Sequence, residues 1–78
     1  MNKAQRTTLA RVSAVLSTQL NLVQEVTAEE QERFDNMSET TQQGEKGDEC
    51  GEEISTLEEI SSNIEGAIEE LDNLSQEN

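Results

Sequence analysis

Hydrophobic residues recur at helical spacing along most of this chain. In the first half they stand three or four residues apart and mark one stripe, which Phe34 and Met37 extend: Leu9, Val12, Leu16, Leu20, Val23 and Val26. This spacing predicts a helix over about residues 3–36. Thr27 and Glu30 match a capping box that would restart the helix at Ala28, but neither Gly nor Pro interrupts the segment. We therefore expect one continuous helix.

The second half carries a more regular stripe. Alternating steps of three and four residues separate its members: Ile54, Leu57, Ser61, Ile64, Ile68 and Leu71. A helix over about residues 52–74 follows. The intervening segment, about residues 37–51, is polar and contains three glycines, so we predict a turn in which Ser38 caps one short helical turn. The expected fold is all-α, an antiparallel helical hairpin that forms a single domain over residues 1–78.

Some apolar residues fall on the flanks of these stripes. They are Val15, Leu22, Ile60, Ala67 and Leu74. A chain of 78 residues with one aromatic side chain cannot cover these positions by itself. We expect two hairpins to meet across them as a homodimeric four-helix bundle, although isoleucine at the seam of the second helix also fits a higher assembly.

Charge is divided unevenly between the two ends of the chain. Residues 1–24 carry a net charge of +3 and residues 25–78 carry −16, for a total of −13. A surface this acidic repels nucleic acid and anionic membranes, so its partner should be basic. In an antiparallel hairpin the basic residues Lys3, Arg6 and Arg11 are expected beside Glu69, Glu70 and Asp72.

The glutamate-rich helix is the candidate partner-binding surface. We assign the acidic face to Glu58, Glu59, Glu65, Glu69, Glu70 and Asp72. Residues seven positions apart lie about 10.5 Å apart along a helix, and the acids between them shorten the distance from one carboxylate to the next. This distance approaches the spacing of phosphates along a DNA strand. The sequence thus predicts a DNA mimic that occupies the basic groove of a nucleic-acid-handling or defence protein, without binding nucleic acid itself.

Two other classes of function stay open. One is a non-enzymatic oligomeric adaptor or assembly protein that grips its partner with the exposed flank of the first helix. The other is a sponge for a small anionic nucleotide ligand, held by Lys3, Arg6 and Arg11 from several copies.

Residues 25–74 contain the run EEQERFDNMSETTQ followed by a glutamate-rich helix. The run matches the pattern EEQ-x-x-(F/Y)-DN-(L/M)-PE-x-(L/T)-Q at Glu29, Glu30, Gln31, Phe34, Asp35, Asn36, Met37, Glu39 and Gln42. In this pattern the segment resembles a family of small, acidic, uncharacterised phage and prophage proteins. Ser38 replaces the usual proline, and Gly44 stands where serine is commoner. The resemblance implies a viral origin and no settled activity.

The composition argues against catalysis. Without histidine or tyrosine the commonest general base is missing, and no nucleophile–histidine pair can form. The single cysteine, Cys50, lies in an acidic stretch that raises a thiol pKa, so we expect an inert thiol in a reducing cytoplasm. Glu25, Glu29 and Glu32 share a helical face but lack the histidines of a di-metal bundle. We expect no cofactor, no metal and no membrane-spanning segment.

Overall fold

The computed structural model describes residues 1–76, which form three helices and the short segments that connect them. Helix α1 spans Lys3–Asp35, α2 spans Glu39–Gln42 and α3 spans Glu45–Gln76. The two long helices pack antiparallel in a rod whose extents are 58 × 14 × 11 Å. The predicted all-α class is confirmed.

Helix α1 begins at a capping box. The Asn2 side chain accepts a hydrogen bond from the Gln5 backbone N–H at 2.7 Å, and the Gln5 side chain accepts one from the Asn2 N–H at 2.9 Å. The helix then continues through Thr27, whose hydroxyl donates to the Val23 carbonyl at 2.9 Å instead of capping a new helix. The prediction of one continuous helix is confirmed, and it ends at Asp35.

Helix α3 begins earlier than the predicted bound near residue 52. It starts at Glu45, so residues 45–51 are helical and their assignment to the turn was wrong. The buried Gly47 makes room for this early start, since a Cβ atom there would lie 1.9 Å from the Gln42 carbonyl oxygen. Glycine therefore allows α3 to pass directly against the end of α2. Ser38 caps α2 as predicted, since its hydroxyl accepts from the Thr41 N–H at 3.2 Å.

Burial follows a seven-residue repeat, whose positions we label a to g with the seam at a and d. In α3 the seam consists of Gly47, Cys50, Ile54, Leu57, Ser61, Ile64, Ile68, Leu71 and Ser75. This confirms the predicted stripe and extends it at both ends. In α1 the seam consists of Arg6, Leu9, Ser13, Leu16, Leu20, Val23, Thr27, Glu30 and Phe34.

The predicted stripe of α1 was wrong at two positions. Val12 and Val26 were placed on the buried face, but they are 42% and 46% exposed. Ser13 and Thr27 occupy the seam instead, and Ser13 is only 5% exposed. One residue step rotates a helix by about 100°, so the two valines face sideways. Helix α1 therefore has a partly polar seam and a second, exposed apolar stripe.

Candidate interaction surfaces

Two contacts between the long helices define the sides of the hairpin. Arg33 and Glu53, both at g positions, approach to 3.6 Å between Nη2 and Oε2. Gln24 and Glu65, both at e positions, share a hydrogen bond of 3.4 Å from Nε2 to Oε1. The g positions of both helices therefore lie on one side of the seam, and the e positions lie on the opposite side.

We call the e side, with the neighbouring b position, the acidic side. Four members of the sequence-predicted acidic face lie on it: Glu58, Glu65, Glu69 and Asp72. The Ser13 hydroxyl donates to Asp72 Oδ1 at 2.5 Å, and Gln24 donates to Glu65. Two of the four carboxylates are thus held by side chains of α1.

The other two members of the sequence-predicted acidic face lie elsewhere on α3. Glu59 occupies an f position at the back of the helix, and Glu70 occupies a c position that turns toward the g side; both are exposed. The six acids therefore wrap around α3 and do not form one face. Which acids of α3 lie on the same side of the hairpin depends on how α1 packs against α3. The sequence of α3 alone does not contain this information.

We call the apolar residues on the g side, together with those at the neighbouring c positions of α1, the apolar side. They are Val12, Val15, Leu22, Val26, Ile60, Ala67 and Leu74. The register of the Arg33–Glu53 contact places Ile60 level with Val26 and Leu74 level with Val12.

The residues of the apolar side are widely exposed to solvent. Val15 is 59% exposed and Leu22 is 50% exposed, and the other members are exposed as well. All five residues predicted as an oligomer interface lie on this side. A single hairpin leaves them in contact with solvent.

The three basic residues near the N-terminus do not all line the same groove of the hairpin. Lys3 and Arg6 line an open groove of about 570 Å³ with Ser75 and Gln76, whereas Arg11 lies outside it. Arg6 occupies a seam position, and its Nη1 atom is buried without a hydrogen-bond partner among residues 1–76.

The basic residues at the N-terminal end, which were expected beside Glu69, Glu70 and Asp72, form no ion pair with these three acids. Within residues 1–76, Arg33 makes the ion pairs closer than 4 Å, to Glu30 and Glu53. The cause is the register, which places Asp72 level with Ser13 and not with a basic residue.

A polar cluster near the turn was not anticipated from the sequence. Glu30, Arg33, Cys50 and Glu53 form it, with 3.0 Å between Arg33 Nη2 and Glu30 Oε2 and 3.5 Å between Cys50 Sγ and the Glu30 carbonyl oxygen. Arg33 lowers the pKa of Glu30, and the Glu30 carboxylate raises the pKa of Glu53. Burial raises the pKa of the Cys50 thiol, which favours its protonated, unreactive form. The only sequence signal is the isolated basic residue, Arg33, in an acidic segment.

Comparison of the chain with protein-family models, curated proteins and solved structures finds no match. The resemblance to phage proteins therefore stays a prediction. None of the helices in residues 1–76 is long and apolar enough to cross a bilayer. Over the same residues, no group of three or more potential metal ligands is placed to hold an ion.

Proposed function

We propose that this chain is a non-enzymatic interaction protein of viral origin, which binds and inhibits a basic nucleic-acid-handling or defence protein in the host cytoplasm. Its acidic side would occupy the groove that normally binds DNA. The observation that carries the proposal is that the acidic side and the apolar side lie on opposite sides of one hairpin.

The spacing of the acids supports charge mimicry. Glu58, Glu65 and Asp72 follow one another at about 10.5 Å, and Glu69 falls between the last two. A basic groove that accepts a regular row of phosphates would meet a comparable row of carboxylates. Because Ser13 and Gln24 already hold two of these side chains, less conformational entropy is lost when a partner binds.

The apolar side supports self-association. Two hairpins that bury it against each other would form the four-helix bundle, and the e positions would still face outward. The dimer would carry two acidic sides that point away from each other. The same apolar side also favours an adaptor role as the second candidate, in which it grips a different protein.

A competition assay tests the mimicry. The probe is a purified bacterial histone-like protein bound to fluorescent duplex DNA, and fluorescence anisotropy reports displacement of the DNA. We expect the wild-type chain to displace DNA at low salt and less at high salt. The double variant Glu58→Gln/Glu65→Gln should displace it poorly.

The matched control removes the same charge from the back of α3. Glu45→Gln/Glu52→Gln alters two f positions of the same helix, so its displacement should stay close to wild type. Equal loss in both double variants would show that only net charge matters and would refute a specific acidic side. If displacement depends on Leu22 and not on the glutamates, the adaptor role replaces mimicry.

A further inference from the structure

A shallow groove on the exposed flank of α1 has the geometry of a coiled-coil hole. It measures about 290 Å³ and is lined by Thr8, Arg11, Val12, Val15 and Leu16. The first four are spaced i, i+3, i+4 and i+7, which is the set of residues that receives one knob from a facing helix. The apolar side therefore contains a formed socket on α1 in addition to exposed hydrophobic area.

The surroundings of this socket favour an uncharged helix as its occupant. No charged residue occurs between Arg11 and Glu25, although the chain as a whole carries −13. The c and g positions in that stretch are Val12, Val15, Gln19 and Leu22. A second copy could approach here without bringing its many carboxylates together.

The elongated shape of the hairpin leaves room for an interface. As a rod of 58 × 14 × 11 Å it exposes 5694 Å², whereas a compact monomer of its mass exposes about 4,700 Å². The surplus is close to the roughly 800 Å² that each partner buries in a standard protein interface.

We propose that a second copy of this chain fills the socket with its Leu22, so that α1 packs antiparallel against the partner's α1 about a twofold axis near Thr18. This inference rests on the self-association described above and supplies its geometry. Val12 then packs against the partner's Leu22, and Val15 packs against the partner's Gln19. The socket of the partner receives Leu22 of the first chain in the same way.

Charge complementarity selects this register. Arg11 and Glu25 both occupy f positions, which flank the second stripe of α1. In the proposed register Arg11 lies beside the partner's Glu25, and Glu25 lies beside the partner's Arg11. A shift of one heptad would instead pair Arg11 with the partner's Glu32 and would press Val12 against the partner's Glu29, at the cost of burying a carboxylate.

The same axis also suits α3. The hairpin register places Ala67 level with Gln19, so the axis passes beside Ala67. Ile60 then lies opposite the partner's Leu74, and the small Ala67 side chain meets its own copy. All seven residues of the apolar side are covered by one symmetric arrangement.

Charge reversal and rescue test the register. Analytical ultracentrifugation of the full chain at low salt, with a reducing agent present, would measure the dimer dissociation constant. We expect Arg11→Glu to weaken the dimer about tenfold, because two exposed ion pairs are replaced by like-charge contacts. Adding Glu25→Arg should restore the wild-type constant, whereas adding the matched Glu32→Arg should not.

Each outcome bears on the inference. Rescue by Glu32→Arg, or by neither variant, would overturn the register while leaving self-association intact. A chain that stays monomeric would overturn both, and the DNA-displacement assay would still report on the acidic side alone. Leu22→Ala supplies a second measurement: it should weaken the dimer at least as much as Arg11→Glu, and circular dichroism should show the helices of the hairpin retained. An unchanged dissociation constant for Leu22→Ala would show that Leu22 does not fill the socket.

Discussion

The sharpest test of the hairpin itself is a pair of glycine-to-alanine substitutions in the first turns of α3. Alanine favours a helix over glycine by about 1 kcal/mol, so propensity alone predicts that both variants are stabilised. At Gly51 nothing lies within 4 Å of the added Cβ atom. At Gly47 the Cβ atom would lie 1.9 Å from the Gln42 carbonyl oxygen and 2.4 Å from its carbon, both of which are backbone atoms.

The steric term should exceed the propensity term at Gly47. Backbone atoms cannot rotate away as a side chain can, so α2 and the turn must shift, which typically costs about 1–3 kcal/mol. We expect Gly51→Ala to gain about 1 kcal/mol and Gly47→Ala to lose a similar amount or more. Each kcal/mol corresponds to about 4–8 °C in the midpoint of thermal unfolding for a domain of this size.

Thermal unfolding followed by far-ultraviolet circular dichroism would measure both variants. The protein concentration must be the same in every sample, because self-association makes the midpoint depend on concentration. Gly51→Ala is the matched control, since it makes the same chemical change one turn further along the same helix. A Gly47→Ala variant as stable as Gly51→Ala would show that α3 does not pass against Gln42 as described.

Three further substitutions test the contacts between the helices. Ser13→Ala removes the hydrogen-bond donor to Asp72 and should lower the free energy of unfolding, measured with a chemical denaturant, by about 1.5 kcal/mol. This is near the lower limit for a hydrogen bond to a charged group, because Asp72 is half-buried and can be rehydrated. Thr27→Val places an apolar side chain in the seam and should raise the unfolding free energy by about 0.5–1 kcal/mol. Glu53→Gln removes an ionised group whose pKa is raised by Glu30, so it should stabilise the hairpin at neutral pH, and the gain should disappear as acidification protonates Glu53 in the folded and unfolded states of the wild type.

Each of these predictions has an internal comparison. Ser17→Ala alters an exposed serine one turn after Ser13, and it should raise the unfolding free energy slightly, by about 0.5 kcal/mol or less, through helix propensity alone. Thr56→Val alters an exposed threonine of α3 and should give no gain. Glu52→Gln removes one charge from the back of α3 and should show no pH-dependent gain. Equal effects at a test position and its comparison position would contradict the corresponding contact.

Periodicity predicted the parts of the fold where large aliphatic residues occupy the seam. The stripe from Ile54 to Leu71 has alternating steps of three and four residues, and the structure buries it as expected. The start of α3 could not be predicted in this way, because its first seam positions are Gly47 and Cys50. Glycine has a low helix propensity, and the close approach that favours it here is a tertiary contact with Gln42.

The buried face of α1 shows a second limit of pattern analysis. Two sets of residues in α1 lie at helical spacing: Val12 with Val26, and Ser13 with Thr27. Hydrophobicity alone favours the first set for the buried face. Only the second set continues the alternating steps from Leu9 to Phe34, and it does so by accepting polar residues in the seam. Pattern analysis also could not predict which acids form the acidic side, because the sides of α3 are defined by its register against α1.

The division of apolar residues within α1 links folding to association. Ser13 and Thr27 take seam positions where larger aliphatic side chains would have strengthened the hairpin, while Val15 and Leu22 face outward. An isolated hairpin gains little from this arrangement, because the outward residues contribute nothing until they are covered. If a second copy covers them, each stripe of α1 has its own partner helix, and the unfolding midpoint should rise with protein concentration. Changes in the seam, such as Thr27→Val, should then stabilise the chain without altering the dimer constant, whereas changes in the outward stripe should alter both.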